Sequence, residues 1–445
     1  MELSVPMIIQ NLFNNSLSTV DTFMVSSLGE AALSGVSLAN TVFFVLNLLN
    51  FGLQSGSMVL ISQYWGRRDT GAINRILGIS FGIAGFISLA VAVIVMIFPI
   101  QVYSVTSNDP QLVEIAAKFA RISAPSFFLN SMTMIYRAAQ RAMGDPKPGM
   151  RILIITLSLN TFLNWALIYG HLGLPAMGVE GSALATLISR IVEVVLTVFN
   201  ALRYERFKLK IKLLLRPGII ITKDFARYSA PVVINETLWS VGFSMYAVII
   251  GHLPGAAAAV AAYTIALTLE RLISGAYFGV GSAAAVLVGV PLGSGDRDRA
   301  YTAGITVIWL ALGFSIVLAA LLLVLTNILI APYILPLFIN SEETMRISKF
   351  MLMVLSVAMP FKAFNFSVIV GVLRGGGDVR IGVLLDIGCM FGFALPLAAL
   401  AGWVFGASVF LVYLFINSEE VVKSIFVYWR LTQKKWLKNV TRELT

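Results

Sequence analysis

GSMVLISQYWGRRD at residues 56–69 returns, altered, as GSAAAVLVGVPLGSGD at residues 281–296, and this repetition decides how the chain is read. The second copy carries two extra residues, and both copies close on an aspartate that follows a glycine-containing turn. Further out, RAMGD (141–145) is matched by RGGGD (374–378), and Pro6 by Pro231, each near the start of an apolar run. Six apolar runs separate each feature from its counterpart, so matching features lie on the same side of a membrane. The repeat is therefore parallel, with a pseudo-twofold axis along the membrane normal.

That the runs are membrane spans follows from composition. Of 445 residues, 58% are hydrophobic and only 12% charged, with a mean hydropathy of +0.87. Soluble domains carry roughly 25% charged residues, and helices without a polar face need an apolar environment on all sides. A bilayer core takes roughly 20 apolar residues per helix. Runs of that kind fall near 5–27, 37–62, 76–100, 118–141, 150–170, 179–202, 229–252, 257–288, 302–330, 346–373, 379–401 and 405–429. The expectation is an all-α integral membrane protein with twelve transmembrane helices. They form two pseudo-twofold-related six-helix bundles around a V-shaped central cavity. The bundles are expected over 1–202 and 229–430, joined by a basic linker, 203–228, and followed by a tail, 431–445.

The net charge of +10 does not point to nucleic acid, because the basic residues cluster between apolar runs. Arg67, Arg68 and Arg75, then Arg137, Arg141, Lys147 and Arg151, then Arg297, Arg299, Arg374 and Arg380 share one side with the basic tail. The opposite loops are short and nearly free of base, which places both termini in the cytoplasm. Lys118, Arg121, Arg346 and Lys349 lie near outer helix ends and reduce the asymmetry without reversing it. Compact loops suit a prokaryotic inner membrane, with the chain acting as a monomer. The lone Cys389 rules out a disulfide within the chain and reads as a core thiol. At Gly144–Asp145 and Gly377–Asp378 the glycine supplies a left-handed helix end and the aspartate is expected to cap the next helix. Pro146 and Pro148 suit that helix's first turn. Pro6, Pro125, Pro231 and Pro360 are candidate kinks.

In order and spacing these motifs resemble the multidrug and toxic compound extrusion transporters along essentially the whole chain. VDTFMVSSLGEAALSGVSLAN (20–40), LNTFLNWALIYGHLGLPAMGVEGSALAT (159–186), NETLWSVGFSMYAVIIG (235–251) and the paired glycine–aspartate turns carry the resemblance. It implies two six-helix lobes and antiport of organic, often cationic, compounds against Na⁺ or H⁺ entry, with no cofactor besides the coupling ion. Asp21, among Ser16, Ser18, Thr19 and Thr22, matches an aspartate that couples cation or proton movement in the family. Asn160, Asn164 and Thr186 match a polar cluster beside it. Asn164 stands where one branch has a second carboxylate, which leans toward a neutral oxygen ligand for Na⁺. Glu236 matches a second-lobe glutamate of another branch, whose aspartate partner is replaced here by Ala363.

Ionisable groups inside spans are costly and ask for a role or a partner. Asp21 and Glu236 are the candidate Na⁺ ligands, against a purely hydrogen-bonding role for the aspartate and simple packing for the asparagines. Trp239 and Tyr246 follow Glu236 as an aromatic lining for organic cations, or as ordinary packing. Asp386 reads as a secondary site or a helix partner. Lys362 either pairs with Glu236 or Asp386 or acts as an internal positive charge in place of a bound cation. Arg190 and Glu193, at i,i+3, read as a mutually neutralising pair, and Glu270 and Arg271 as structural. The alternative function is a flippase of lipid-linked saccharide precursors, which Lys362 alone favours. An enzyme is disfavoured because His171 and His252 lie apart from cysteine and paired carboxylates. No GxxxxGK[ST] loop occurs to bind ATP phosphates.

Overall fold

The computed structural model describes residues 3–339 and 341–443, and the side chains of 4, 11, 12, 14–19 and 338 fall outside the description. The expected neighbours Ser16, Ser18 and Thr19 of Asp21 are among those side chains. Among the described residues there are helices and no strands. The chain runs through α1 (Ser4–Ser26), α2 (Glu30–Gly66), α3 (Thr70–Ile97), α4 (Pro110–Ser123), α5 (Pro125–Ala142), α6 (Lys147–Tyr169) and α7 (Gly178–Arg203). It continues with α8 (Ile219–Gly251), α9 (Ala256–Gly293), α10 (Arg297–Leu337), α11 (Glu342–Leu373), α12 (Val379–Val404) and α13 (Val409–Thr432). Nine of these are long and apolar enough to cross a membrane. The remaining four, α1, α4, α5 and α13, are shorter or interrupted by polar and charged side chains such as Asp21, Lys118, Arg137, Glu419 and Lys423. Large apolar side chains face outward, among them Phe23, Phe86 and Trp309 at 73, 75 and 67% exposure, as lipid contact requires.

The chain divides into two compact units inside α8: one runs to Ala230 and takes in Glu443, and the other is Pro231–Arg442. The basic segment after α7 belongs with the first unit. It forms a short helix, Ile211–Leu214, and Asn74 ties it to α3, accepting from Lys210 N at 2.8 Å and donating to Lys208 O at 3.2 Å. A Cβ on Gly78 would lie 2.0 Å from the Leu214 carbonyl oxygen, so glycine is what lets the segment seat on α3.

The repeat is visible in the turns. Asp69 caps α3 by accepting from Ala72 N, and Asp296 caps α10 by accepting from Arg299 N, both at 2.9 Å. At the second pair, Gly144 (φ +79°) and Gly377 (φ +80°) take the left-handed conformation. The following N–H groups return to Gln140 O and Leu373 O at 2.9 and 2.8 Å, the 6→1 bond of a Schellman ending. The aspartates behave otherwise than expected. Neither caps the next helix. Asp145 accepts from the Tyr204 hydroxyl at 3.1 Å, and Asp378 is clasped by Arg430 and Lys438 at 2.7 and 2.5 Å. Longer-range basic partners outcompete the local backbone for these carboxylates. The tail folds back, with Trp436 fully buried and Lys438 N donating to Gly376 O at 3.0 Å.

Of the candidate kinks, Pro125 opens α5 and so breaks the fourth apolar run after Ser123, while Pro231 and Pro360 lie inside helices. Inside α10, α11 and α12 the hydrogen bonding lapses into π turns at Thr326–Ile334, Ser367–Leu373, Met390–Ala394 and Leu400–Val404. Such turns are uncommon and frequent at functional sites. All four of these belong to the second unit.

Candidate functional site

In the first unit, α6 opens at Pro146 and closes on left-handed Gly170, which fixes its length and the face it presents to α1. Asn160 and Asn164 stand one turn apart on that face, both buried. Asn164 Nδ2 donates to Asp21 Oδ1 at 2.5 Å and to Asn160 Oδ1 at 3.4 Å. With its amide nitrogen so engaged, Asn164 Oδ1 is buried and has no donor among the described residues. A carboxylate, two amide oxygens and an unused lone pair form a donor set for a hard monovalent cation or a proton. Thr186, half-buried on α7, makes no hydrogen bond to these three among the described residues. One turn further along α7, Arg190 lies close enough to act on the Asp21 carboxylate electrostatically.

Arg190 is not simply neutralised by Glu193, as its spacing suggested. Glu193 is fully buried between two guanidinium groups, Arg190 at 2.5 Å and Arg137 of α5 at 3.0 Å. This triad holds one positive charge in excess. Nearby, Arg141 donates to two amide oxygens, Gln10 Oε1 at 3.3 Å and Gln54 Oε1 at 3.1 Å. A separate cavity of about 350 Å³, lined by Lys147, Arg151 and Arg206, opens at the Gly144–Asp145 turn and not at this cluster.

The second unit is built differently. Glu236 is paired with Arg374 at 2.9 Å. Asp386 accepts from Asn235 Nδ2 at 3.1 Å and pairs with Lys423 of α13 at 2.8 Å. The same ammonium reaches Glu419 at 2.6 Å and Glu420 at 3.5 Å. Tyr246 is buried and donates to Glu419 Oε2 at 2.6 Å, so its hydroxyl belongs to this network instead of a free lining. Trp239 stacks on Phe243 with ring centroids 5.1 Å apart. Asn365, two residues from Ala363, donates to Glu420 Oε2 at 2.8 Å. Lys362 pairs with neither Glu236 nor Asp386, since Glu270 of α9 holds it at 2.5 Å. Both expected partners are already engaged by Arg374 and Lys423, which is the physical reason.

The sequence reading passed over Glu419, Glu420 and Lys423. The signal was there: NSEEVVKS (417–424) puts three ionisable residues inside one apolar run, with the acids four and three residues before the lysine, on its face of the helix. No group of three or more His, Cys, Asp or Glu suited to a metal ion occurs among the described residues.

Long apolar helices with buried, internally paired charges define a multi-pass membrane protein. The MatE family model matches residues 6–166 and 231–400, one match in each repeat. The chain belongs to that family of membrane transporters. It is 22% identical over 435 residues to the uncharacterized transporter YisQ of Bacillus subtilis, covering 98% of this chain and 94% of the relative. It is 25% identical over 398 residues to the probable multidrug resistance protein NorM of Thermotoga maritima, covering 89% and 84%. Among solved structures, the fold matches a MOP superfamily transporter from Pyrococcus furiosus whose binding pocket of reverse polarity suggests a different function. The TM-score is 0.84 at 21% identity, covering 98% of this chain and 95% of that one. An outward-facing multidrug resistance MATE family transporter matches at TM-score 0.83 and 22% identity, with the same coverage.

Proposed function

We propose that this chain is a secondary active antiporter of a prokaryotic inner membrane that exports organic, cationic compounds in exchange for Na⁺ or H⁺. The reading takes twelve spans in two six-helix bundles over 1–202 and 229–430, both termini in the cytoplasm, and a monomer that alternates between inward- and outward-open states. The observation that carries it is the Asp21–Asn164–Asn160 cluster, a carboxylate held at 2.5 Å by a buried amide whose own oxygen has no donor among the described residues. An ion or proton arriving there changes the charge of a poorly solvated site, and such a change is able to bias helix packing. Relatives named as probable multidrug resistance proteins support the substrate class. A saccharide-precursor flippase is less well supported, because Lys362, its one favourable feature, is neutralised by Glu270.

The test is efflux of a fluorescent organic cation from proteoliposomes under an imposed Na⁺ or H⁺ gradient. Gradient-driven efflux by the wild type that Asp21→Asn abolishes, with the protein still folded, is the expected result. Unimpaired efflux in Asp21→Asn would remove Asp21 from coupling, and no cation-driven efflux of any dye would overturn the antiporter reading.

A further inference from the structure

We propose that the cavity at the Gly144–Asp145 turn holds the phosphate headgroup of an anionic glycerophospholipid, whose acyl chains run along the exposed face of α6. This goes beyond transport, giving the first unit a lipid site apart from the Asp21 cluster.

The cavity, about 350 Å³ in volume, takes in Leu3 at the start of the chain, the Gly144–Asp145 turn and three bases, Lys147, Arg151 and Arg206. Its size falls at the lower end of the roughly 300–1,000 Å³ of small-ligand sites. None of the three bases forms a salt bridge with an acid among the described residues. The one carboxylate in the lining, Asp145, accepts from the Tyr204 hydroxyl at 3.1 Å, and Arg206 lies close enough to act on that hydroxyl electrostatically. Three bases against one carboxylate leave two positive charges in excess around one cavity. A phosphate suits that excess, since arginine offers it forked N–H donors and lysine a point charge.

A second observation concerns what lies beside the cavity. Lys147 and Arg151 stand one turn apart on α6, and the exposed face of that helix continues from them through Ile155, Ser158, Phe162, Trp165 and Tyr169 at helical spacing. The apolar and aromatic members of this stripe are 38 to 53% exposed. Bases at one end, apolar side chains in the middle and a Trp and a Tyr at the other reproduce the order of a lipid-facing surface. At about 1.5 Å per residue, the rise from Arg151 to Tyr169 is roughly 27 Å, close to the ~30 Å hydrocarbon core of a bilayer. The cavity therefore lies at headgroup level, at the end of an apolar path that acyl chains cover and a free phosphate does not.

The experiment uses the full chain, purified in a neutral detergent, with thermal unfolding followed by tryptophan fluorescence as phosphatidylglycerol is added to the micelles. Phosphatidylcholine, inorganic phosphate and glycerol 3-phosphate replace it in parallel. The wild type gains a saturable rise of several degrees with phosphatidylglycerol and none with the other three. Lys147→Gln, Arg151→Gln and Arg206→Gln together abolish the rise, and each alone moves its midpoint several-fold higher in lipid. A control that loses the same charge outside the cavity, Lys208→Gln with Lys212→Gln and Arg216→Gln, retains it. No rise in the wild type, an undiminished rise in the cavity triple, or an equal loss in the control overturns the proposal. An equal rise with inorganic phosphate or glycerol 3-phosphate overturns the lipid as the source, and an equal rise with phosphatidylcholine overturns the need for an anionic headgroup. Should the triple variant not fold, the single variants decide, and unchanged midpoints in all three overturn the proposal. These outcomes are independent of dye efflux, so failure here is distinguishable from failure of the antiporter reading.

Discussion

Replacing Glu193 by glutamine removes the one negative charge between a buried guanidinium, Arg137 at 3.0 Å, and a partly buried one, Arg190 at 2.5 Å. At an effective dielectric of about 20, a pair of unit charges 3 Å apart attracts by roughly 5–6 kcal/mol. Part of this is offset by the desolvation of the ions, and removing one partner of a buried pair typically costs about 3–5 kcal/mol. Glu193→Gln retains the shape and an acceptor, so charge accounts for nearly all of the loss. Against a net stability on the order of 5–15 kcal/mol, the variant should unfold many degrees below the wild type, as read by size exclusion after heating. Replacing all three residues by apolar ones of similar volume removes the unpaired charges along with the pairs. That triple variant, Arg137→Met, Glu193→Leu, Arg190→Met, should recover folding yet lose transport, because Arg190 no longer acts on Asp21. A Glu193→Gln protein within about 1 kcal/mol of the wild type would refute the reasoning, as would a triple variant less stable than the single one.

Two glycine substitutions separate backbone strain from crowding. Gly144→Ala meets nothing within 4 Å and carries only the left-handed penalty, about 1–2 kcal/mol, whereas Gly377→Ala also brings its Cβ to 2.5 Å of Val440 Cγ1 and should lose about 1–3 kcal/mol more in thermal unfolding. Asn164→Leu, which removes the 2.5 Å bond to Asp21, should abolish dye efflux, while Asn160→Leu, linked only through a 3.4 Å bond, should reduce it less. Trp436→Ala should cost about 3–5 kcal/mol and expose the tail to trypsin at Lys434 and Lys438, because the fully buried indole pins that segment.

The repeat was legible because its markers are turn residues, and turn geometry is local: Gly144 and Gly377 adopt the conformation their sequence demands. The Asp21 cluster was legible in part for the same reason, since Asn160 and Asn164 share a face by helical spacing alone. Which face of one helix meets which face of another is not local. Glu270 lies 92 residues from Lys362, and no periodicity links them, so the lysine was assigned to the wrong acids. The notion of an internal positive charge standing in for a cation arose at Lys362, which the structure instead pairs with Glu270. Asp145 and Asp378 were misread as caps because a capping rule weighs only the nearest backbone, while Tyr204, Arg430 and Lys438 arrive from elsewhere in the chain.

The π turns of α10, α11 and α12 bear on how the two halves came to differ. Each residue in an α-helix advances side chains by about 100°, so a residue accommodated as a π turn swings everything beyond it to a new face while leaving the helix in place. The spacing between matched features grows along the chain, from 231 − 6 = 225 at the prolines to 296 − 69 = 227 and then 378 − 145 = 233 at the aspartates. The later half has thus taken in length that the earlier half has not. Arg374 lies immediately beyond the turn at Ser367–Leu373 and meets Glu236, whereas its counterpart Arg141 donates to the amides of Gln10 and Gln54. Descendants of one ancestral half can in this way exchange one set of polar neighbours for another without a change of fold, and a duplicated scaffold becomes two unlike machines.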